Sequence, residues 1–493
     1  MIYVYLVGHD FRYEVNELIK AFFFGEDIVF IDNKDQYDGE GILIENSLVY
    51  NFGQLNSTTM VYRNNKLIFK YSVEDIEGMK IEGEDIKRKT RIGIKKSIYE
   101  ALTNISDITA PWGVLTGIRP VKIVHGLLDE GVADEEILNI MTNQYKLFPE
   151  KANLILNIAK KQRKYLYPLD ENRFSLYVDI PFCPTRCLYC SFPTCSIDRY
   201  IDYVDRYMDN LIYEIDRISE LMKNKQISTV YIGGGTPTSI PVKNLEKIIQ
   251  AIYKDFGKKK IKEITVEAGR PDTINREMLE MLSKNEIDRI SINPQTMNDK
   301  TLKLIGRKHS SQEIANAYYL AKEIGFNVIN MDLIIGLPSE GLEEVRNTLK
   351  EIKNLNPENL TVHTLSIKRG SKFKEKMDEY HLESQNIIEK MLDETRCFAH
   401  NMGLSPYYLY RQKQTMGNFE NIGYSKEGKE CIYNIAMMEE KETIMAAGVG
   451  AVSKIFYPKE NRIERVPNVK SLEEYLNRTE EMIERKLLSL EIK

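Results

Sequence analysis

Residues 174–195 read FSLYVDIPFCPTRCLYCSFPTC, a short apolar run that breaks at Pro181 into a loop holding four of the chain's six cysteines. Aromatic and β-branched side chains ahead of a proline predict a strand over 174–180. The loop after it spaces Cys183, Cys187 and Cys190 as C-x3-C-x2-C, with Tyr189 between the last two. A C-x2-C pair alone serves zinc sites, redox disulfides and clusters alike. Three thiolates in one loop can hold three irons of a [4Fe–4S] cube and leave the fourth open to a small molecule. Structural zinc wants four ligands; Cys195 is the available fourth, and no second knuckle of cysteines or histidines matches the first. Cys195, Cys397 and Cys431 have no assigned role.

Outward from this strand, short apolar runs alternate with longer amphipathic ones, the pattern of βαβ units on a parallel sheet. The strands are expected at 174–180, 229–234, 264–268, 289–293, 328–334 and 360–366, with helices such as YVDRYMDNLIYEIDRISELM between them. Six units are two short of a closed eight-stranded barrel, so the fold class is α/β: a partial (β/α)6 TIM-like barrel with an N-terminal α+β extension and a C-terminal mostly helical domain. Four segments follow. Residues 1–75 are β-rich, with Asn64-Asn65 as a hairpin turn. Residues 76–167 form a charged linker and a helical segment, in which PWGVLTGIRPVK is a packed loop around the single tryptophan. Residues 168–370 form the barrel, and 371–493 are mostly helical, with a loop-rich interlude from Asn401 to Asn434.

The 493 residues are 42% apolar and 29% charged, enough for several cores. With 68 basic against 73 acidic residues the net charge is −5, which leaves no global field for nucleic acid or an anionic membrane. Any polyanion has to be met locally. Six cysteines are too few for a disulfide scaffold, which points to a reducing, cytoplasmic setting. The apolar start MIYVYLV lacks a basic lead and a cleavage site, so the mature chain is expected to begin there. The longest apolar stretch, Ile444 to Val452, is about half a membrane span.

The cysteine spacing resembles that of the radical S-adenosylmethionine (SAM) enzymes. In that superfamily the amino and carboxylate groups of SAM chelate the open iron, and an electron from the cluster cleaves SAM to methionine and a 5′-deoxyadenosyl radical. The segment GGGTPT (233–238), taken with Glu267, Gln295 in SINPQ, Arg307 in LIGRKH and Asp332 in INMDLIIGLP, resembles the oxygen-independent coproporphyrinogen III dehydrogenases. The resemblance spans roughly 171–455, and the N-terminal residues resemble the HemZ-type branch. It implies Cys183, Cys187 and Cys190 as iron ligands. It also implies Tyr177, Gly234, Glu267 and, more loosely, Val452 at the cluster-bound SAM, with Tyr189 beside the cluster. Gly235, Thr236, Gln295, Arg307, Asp332 and Ser366 match positions around a second SAM molecule. An unpaired carboxylate among apolar neighbours is costly, so Asp332 is expected to have a hydroxyl, amide or cation as partner.

The implied reaction is oxidative decarboxylation of coproporphyrinogen III propionates to vinyl groups, giving protoporphyrinogen IX. A reductant protein such as flavodoxin or ferredoxin is the implied electron source. Four propionates demand cations, supplied by Lys368, Arg369, Lys372, Lys374, Lys376, Arg411 and Lys413, with Tyr407, Tyr408 and Tyr410 as a wall for a tetrapyrrole or as ordinary core. Two departures keep alternatives open. The best-studied dehydrogenases have a further cysteine where this chain has Phe192. The related haem chaperones typically show HNxxYW, whereas residues 420–425 read ENIGYS. A haem-binding chaperone and a radical SAM methyltransferase or other tetrapyrrole-modifying enzyme are the other readings.

Overall fold

The computed structural model describes every residue except 24, 80–84, 109, 118, 369, 376–378, 413–414, 416–417 and 492–493. The chain divides into two units, one of Met1–Lys160 with Tyr410–Glu420, the other of Lys161–Leu409 with Asn421–Lys493.

The first unit is built on five strands: β1 (Ile2–Val7), β2 (Ile28–Ile31), β3 (Ile42–Asn51), β4 (Gln54–Arg63) and β5 (Lys66–Val73), in the order β2-β1-β3-β4-β5. β1 runs parallel to both neighbours, while β3, β4 and β5 are joined as hairpins. Asn64 and Asn65 both take positive φ, 52° and 60°, as the expected two-residue turn requires. Helix Ile86–Ile105 packs on β4 and β5. Its buried Ser97 meets Asn46, Ser57 and Thr59 at 2.9–3.0 Å, so the polar groups inside that interface satisfy one another. The loop around Trp112 is packed as expected. The Trp112 indole donates to Glu420 at 2.7 Å, and Glu420 also pairs with Lys151.

The strands that follow along the chain are β6 (Arg173–Ile180), β7 (Phe182–Cys183), β8 (Cys195–Ser196), β9 (Gln226–Gly234), β10 (Glu263–Glu267), β11 (Arg289–Ser291), β12 (Ile329–Ile335), β13 (Asn359–Thr364), β14 (Ser405–Arg411), β15 (Glu420–Ser425), β16 (Thr443–Ala447), β17 (Val452–Tyr457) and β18 (Arg462–Pro467), all in the second unit but for the last two residues of β14 and the first of β15. All but β7 and β8 form one eleven-stranded sheet, ordered β14-β15-β13-β12-β11-β10-β9-β6-β16-β17-β18. The six parallel strands β6 and β9 to β13 are the six expected ones. Their crossover helices owe their place to apolar stripes at i, i+3 and i+4. Val242–Phe256, for example, buries Leu245, Ile248, Ile249, Ile252 and Phe256. Helix Ser311–Ile324 starts at a Ser310/Glu313 capping box and stops at Gly325, φ 109°. β6 pairs with β16 and β13 with β15, so the two ends of the six-strand run never meet and the barrel is open.

The loop-rich interlude expected from Asn401 to Asn434 is a correction: it contains β14, β15 and the start of helix Ile432–Glu439. β15 escapes a propensity reading because Gly423 interrupts it, and that glycine is required. A Cβ there would stand 1.8 Å from the Tyr408 ring. β16 is buried along its whole length, so its sequence is a plain apolar run without the alternation that betrays a strand. The helices Gln385–Asn401 and Leu472–Glu491 account for the helical character expected beyond residue 371. Among the described residues no helix is long and apolar enough to cross a membrane.

Candidate active site at the mouth of the open barrel

The cysteine loop leaves the carboxyl end of β6, where barrel chemistry collects. Two short parallel strands close it on itself, Phe182 pairing with Cys195 and Cys183 with Ser196. The GGGTPT loop seats directly against it: Gly235 N–H donates to the Ile180 carbonyl and Thr236 N–H to that of Phe182, both at 2.8 Å. A Cβ on Gly235 would fall 2.6 Å from the Phe182 carbonyl oxygen and 3.0 Å from Cys183 Sγ. Only glycine permits this approach. Farther along, Leu188 N–H bonds the Ile305 carbonyl at 2.9 Å and Arg186 bonds that of Gly370 at 2.7 Å.

Cys187 is buried and Cys183 and Cys190 are half-buried. Burial pushes the Cys183 thiol up to about 12, Thr236 at 3.5 Å pulling it back and the other two cysteines pushing it further. Among the described residues no group of three or more His, Cys, Asp and Glu side chains converges on a single metal ion. A cube makes a different demand, since each of its thiolates meets a separate iron around one shared body. Three thiols within one eight-residue loop, with Cys183 seated against Gly235, suit that demand.

Behind the loop lies the inner face of the sheet, and the strand register identifies its members. Tyr177 stands beside Tyr231, Asp179 beside Gly233, Glu267 beside Ser291, and Asp332 beside Thr361. Tyr177 donates to Asp179 at 3.0 Å and Tyr231 to Glu267 at 2.6 Å. Burial raises the proton affinity of Asp179 well above its ordinary value, with Glu267 adding to it. Glu267 is pushed up to about 7, first by burial and then by Asp332, against the hydrogen bond from Tyr231. Asp332 has the partners expected of it: the Asn330 amide at 2.7 Å and the His363 ring at 3.7 Å. Gln295 takes φ 68°, a conformation held because its N–H bonds the Asp332 carbonyl at 2.8 Å and its carbonyl accepts from Ile334 at 2.9 Å. Arg307, buried, reaches the Asn293 carbonyl and the Tyr189 hydroxyl, the latter at 3.3 Å. Gly234, at φ 108°, lies so close to Asp179 that a Cβ would be 2.6 Å from its carboxylate.

The structure therefore groups Cys183, Gly235 and Thr236, joins Arg307 to Tyr189 in the cysteine loop, and gathers Tyr177, Glu267, Gln295 and Asp332 on or beside the inner face. Ser366 lies two residues beyond β13, and Val452 opens β17, two strands from β6. Sequence reasoning passed over Asp179, Tyr231, His363 and Tyr433. Period-two alternation signals the first three, each two residues from another inward position. Tyr433 had no signal: the helix Ile432–Glu439 brings its ring to 4.6 Å from Tyr231 and 6.2 Å from Tyr177. The Thr265, Ser291 and Tyr433 hydroxyls and the Asn293 amide oxygen are buried without a partner. Their hydrogen-bonding capacity is available to a polar ligand.

Of the cations expected in the basic patch, one is placed elsewhere by the structure. Lys368 lies near Cys190, its ammonium 5.9 Å from the Phe192 ring, and Lys372 and Lys374 are exposed. Arg369, Lys376 and Lys413 lie outside the described residues. Arg411 is a correction. It is 2% exposed within the first unit, bonded to the Asn418 carbonyl, with its guanidinium 5.0 Å from the centre of the Trp112 ring, so it cannot offer itself to a propionate. Tyr407 and Tyr408 are buried core, their rings 4.8 Å apart, rather than a substrate wall.

Comparison with known proteins bears on this geometry. The sequence profile of the Radical SAM superfamily matches residues 177–352. The oxygen-independent coproporphyrinogen-III oxidase-like protein HemZ of Bacillus subtilis (strain 168) is 42% identical over 407 residues, 81% of each chain. The heme chaperone HemW of Escherichia coli (strain K12) is 27% identical over 284 residues, 58% of this chain and 71% of its own. Among solved structures, coproporphyrinogen III oxidase (HemN) from Escherichia coli, described as a radical SAM enzyme, matches with a TM-score of 0.50 at 24% identity, over 66% of this chain and 73% of that one. At that identity the match supports the fold.

Proposed function

The chain belongs to the radical SAM superfamily and, within it, to the family of the HemZ-type coproporphyrinogen-III oxidase-like proteins, and from that membership we propose that it oxidatively decarboxylates coproporphyrinogen III propionates to vinyl groups, giving protoporphyrinogen IX. Its cofactors are the family's, a [4Fe–4S] cluster and SAM. The observation that carries the proposal is the cysteine loop, cradled by Gly235 and Thr236 at the mouth of a bore with unsatisfied buried polar groups.

The residues present fit these cofactors. Cys183, Cys187 and Cys190 would hold three irons, and Tyr189 would lie beside them. Tyr177, Gly234, Glu267 and Val452 would serve the SAM at the open iron, and Gly235, Thr236, Gln295, Arg307, Asp332 and Ser366 a second SAM molecule. The bound cofactors supply a 5′-deoxyadenosyl radical able to remove a propionate β-hydrogen, which is chemistry the protein itself does not have to perform. The chain's part is to bind, orient and exclude water. Glu267, near neutrality in its proton affinity, gives up its proton when an ammonium group docks beside it. The helix bearing Tyr433 stacks that ring on Tyr231 within the bore. Lys368, Lys372 and Lys374 meet propionates, and a flavodoxin- or ferredoxin-type protein delivers the electron. The setting is cytoplasmic and reducing, which keeps Cys183, Cys187 and Cys190 available to iron.

The relatives named as haem chaperones support a haem-binding role instead. Against it, Glu420 takes the place of the chaperones' motif histidine, and its carboxylate is engaged by Lys151 and Trp112. Iron-reconstituted protein given reductant, SAM and coproporphyrinogen III should yield protoporphyrinogen IX with 5′-deoxyadenosine. Formation of 5′-deoxyadenosine without a decarboxylated tetrapyrrole would overturn the substrate and leave the superfamily chemistry intact. S-adenosylhomocysteine among the products would mark a methyltransferase.

A further inference from the structure

Three residues beyond Glu267 stands Arg270, 3% exposed, to which neither the family resemblance nor the proposed reaction gives a role. Its guanidinium uses both edges. One donates from Nη1 to the carbonyl of Thr185 at 3.0 Å and to the Thr185 hydroxyl at 2.7 Å, midway between Cys183 and Cys187. The opposite edge grips both oxygens of Asp272, Nε at 2.9 Å and Nη2 at 2.6 Å. His309, which is buried, approaches the same carboxylate at 3.4 Å. Thr185 passes its hydroxyl on to the Gly306 carbonyl at 3.1 Å. The cysteine loop is thereby pinned from β10 through a planar, bidentate fork that lysine could not reproduce.

We infer that Arg270 is a positioning residue that sets the reduction potential of the cluster, its buried positive charge at the loop between two of the ligands favouring the reduced state. The inference rests on the reading of Cys183, Cys187 and Cys190 as the cluster's ligands. A one-electron reduction adds a negative charge to the thiolate-bound cube, and a fixed cation in a low-dielectric setting stabilises that charge far more than one in water. The charge lies at the ligands: Arg270 Nη1 bonds the backbone carbonyl of Thr185, two residues from both Cys183 and Cys187. Other cations lie along the loop. Arg307, buried, donates to the Tyr189 hydroxyl, half-buried Lys368 stands 5.9 Å from the Phe192 ring, and Arg186 reaches the Cys190 carbonyl at 3.5 Å from an exposed position where solvent screens it. Asp272, on the far edge of the guanidinium, tempers the field of Arg270. Removing one or the other should therefore move the potential in opposite directions.

The test is a redox titration of the iron-reconstituted full chain with dithionite, followed by electron paramagnetic resonance, without SAM or tetrapyrrole. With Arg270→Gln the ratio of reduced to oxidised cluster at a given potential should fall about tenfold, a downward midpoint shift of about 59 mV for a one-electron couple. With Asp272→Asn the midpoint should rise. An Arg270→Gln protein with full iron content and the wild-type midpoint overturns the inference. Where that variant takes up too little iron to titrate, Asp272→Asn decides: an unchanged or lowered midpoint overturns it. Wild-type protein that takes up no iron overturns the ligand reading beneath it, an outcome distinct from any shift in midpoint.

Discussion

The phenol of Tyr231 donates to the carboxylate of Glu267 across 2.6 Å, on neighbouring strands of the inner sheet face, yet Glu267 still holds its proton up to about pH 7. Burial and the charge of Asp332 outweigh that hydrogen bond. A carboxyl with a raised folded pKa binds its proton more tightly folded than unfolded. Its stabilising effect is whole below the ordinary glutamate pKa of 4.5 and is lost as pH rises through about 7. At 1.36 kcal/mol per pK unit the loss is roughly 3 kcal/mol. Glu267→Gln should remove it. Urea unfolding of the cofactor-free protein at about pH 5 and about pH 8 should show a fall in stability for wild type and a flatter response for the variant. Equal slopes would refute the assignment.

Cys187→Ala should abolish SAM cleavage and leave the cluster labile, because one iron loses its only protein ligand. Cys195→Ala should be mild. Cys195 contributes to the loop through its backbone, its N–H bonding the Pro181 carbonyl at 2.8 Å, and the substitution leaves that bond in place. Iron content, visible absorption and 5′-deoxyadenosine yield separate the two. Full activity in the Cys187 variant would remove the cluster reading.

Six parallel strands and the cysteine loop were legible because strand periodicity and ligand spacing are local properties of the chain. FSLYVDI and LTVHTLS announce strands by composition, and C-x3-C-x2-C announces its chemistry by spacing alone. What stayed hidden depends on contacts distant in sequence. β16 is a strand because it lies between β6 and β17, and its uniform burial erased the alternation that would have shown it. Within YYLYRQK Arg411 reads as a surface cation, whereas its guanidinium lies against Trp112, nearly three hundred residues earlier. Tyr433 joins the site only because its helix folds back against Tyr231. Buried charge and stacked rings of this kind are products of topology, and single-chain composition is silent on them.

Asp332→Ala should weaken SAM handling by roughly tenfold or more, the worth of a charge-assisted hydrogen bond, while the visible absorption of the cluster persists. Asp332 is held by Asn330 at 2.7 Å and faces His363 at 3.7 Å. The cysteine loop owes its anchors to other residues, so cluster uptake should not respond. Equilibrium binding of SAM, set beside iron content for the same preparation, checks both halves. Loss of the cluster in this variant would show that Asp332 supports the loop.

Lys486 and Glu214 form an ion pair at 2.7 Å in which neither side chain is exposed at all. The same carboxylate accepts from the Gly448 N–H at 2.8 Å, the Tyr475 hydroxyl at 2.6 Å and the Asn468 amide at 2.9 Å. It thereby fastens helix Leu472–Glu491 to the glycine turn after β16, and a Cβ on Gly448 would lie 2.6 Å from the Asp179 carbonyl. Lys486→Met strands a buried carboxylate without its cation, a change that costs about 3–5 kcal/mol. Removing both charges in Glu214→Gln/Lys486→Met should recover a substantial part of that loss, because the remaining donors can serve a neutral amide oxygen. Urea denaturation of wild type, the single variant and the double variant measures it. A single variant destabilised by less than about 1 kcal/mol, the range of exposed pairs, would mean that the pair is open to water in solution.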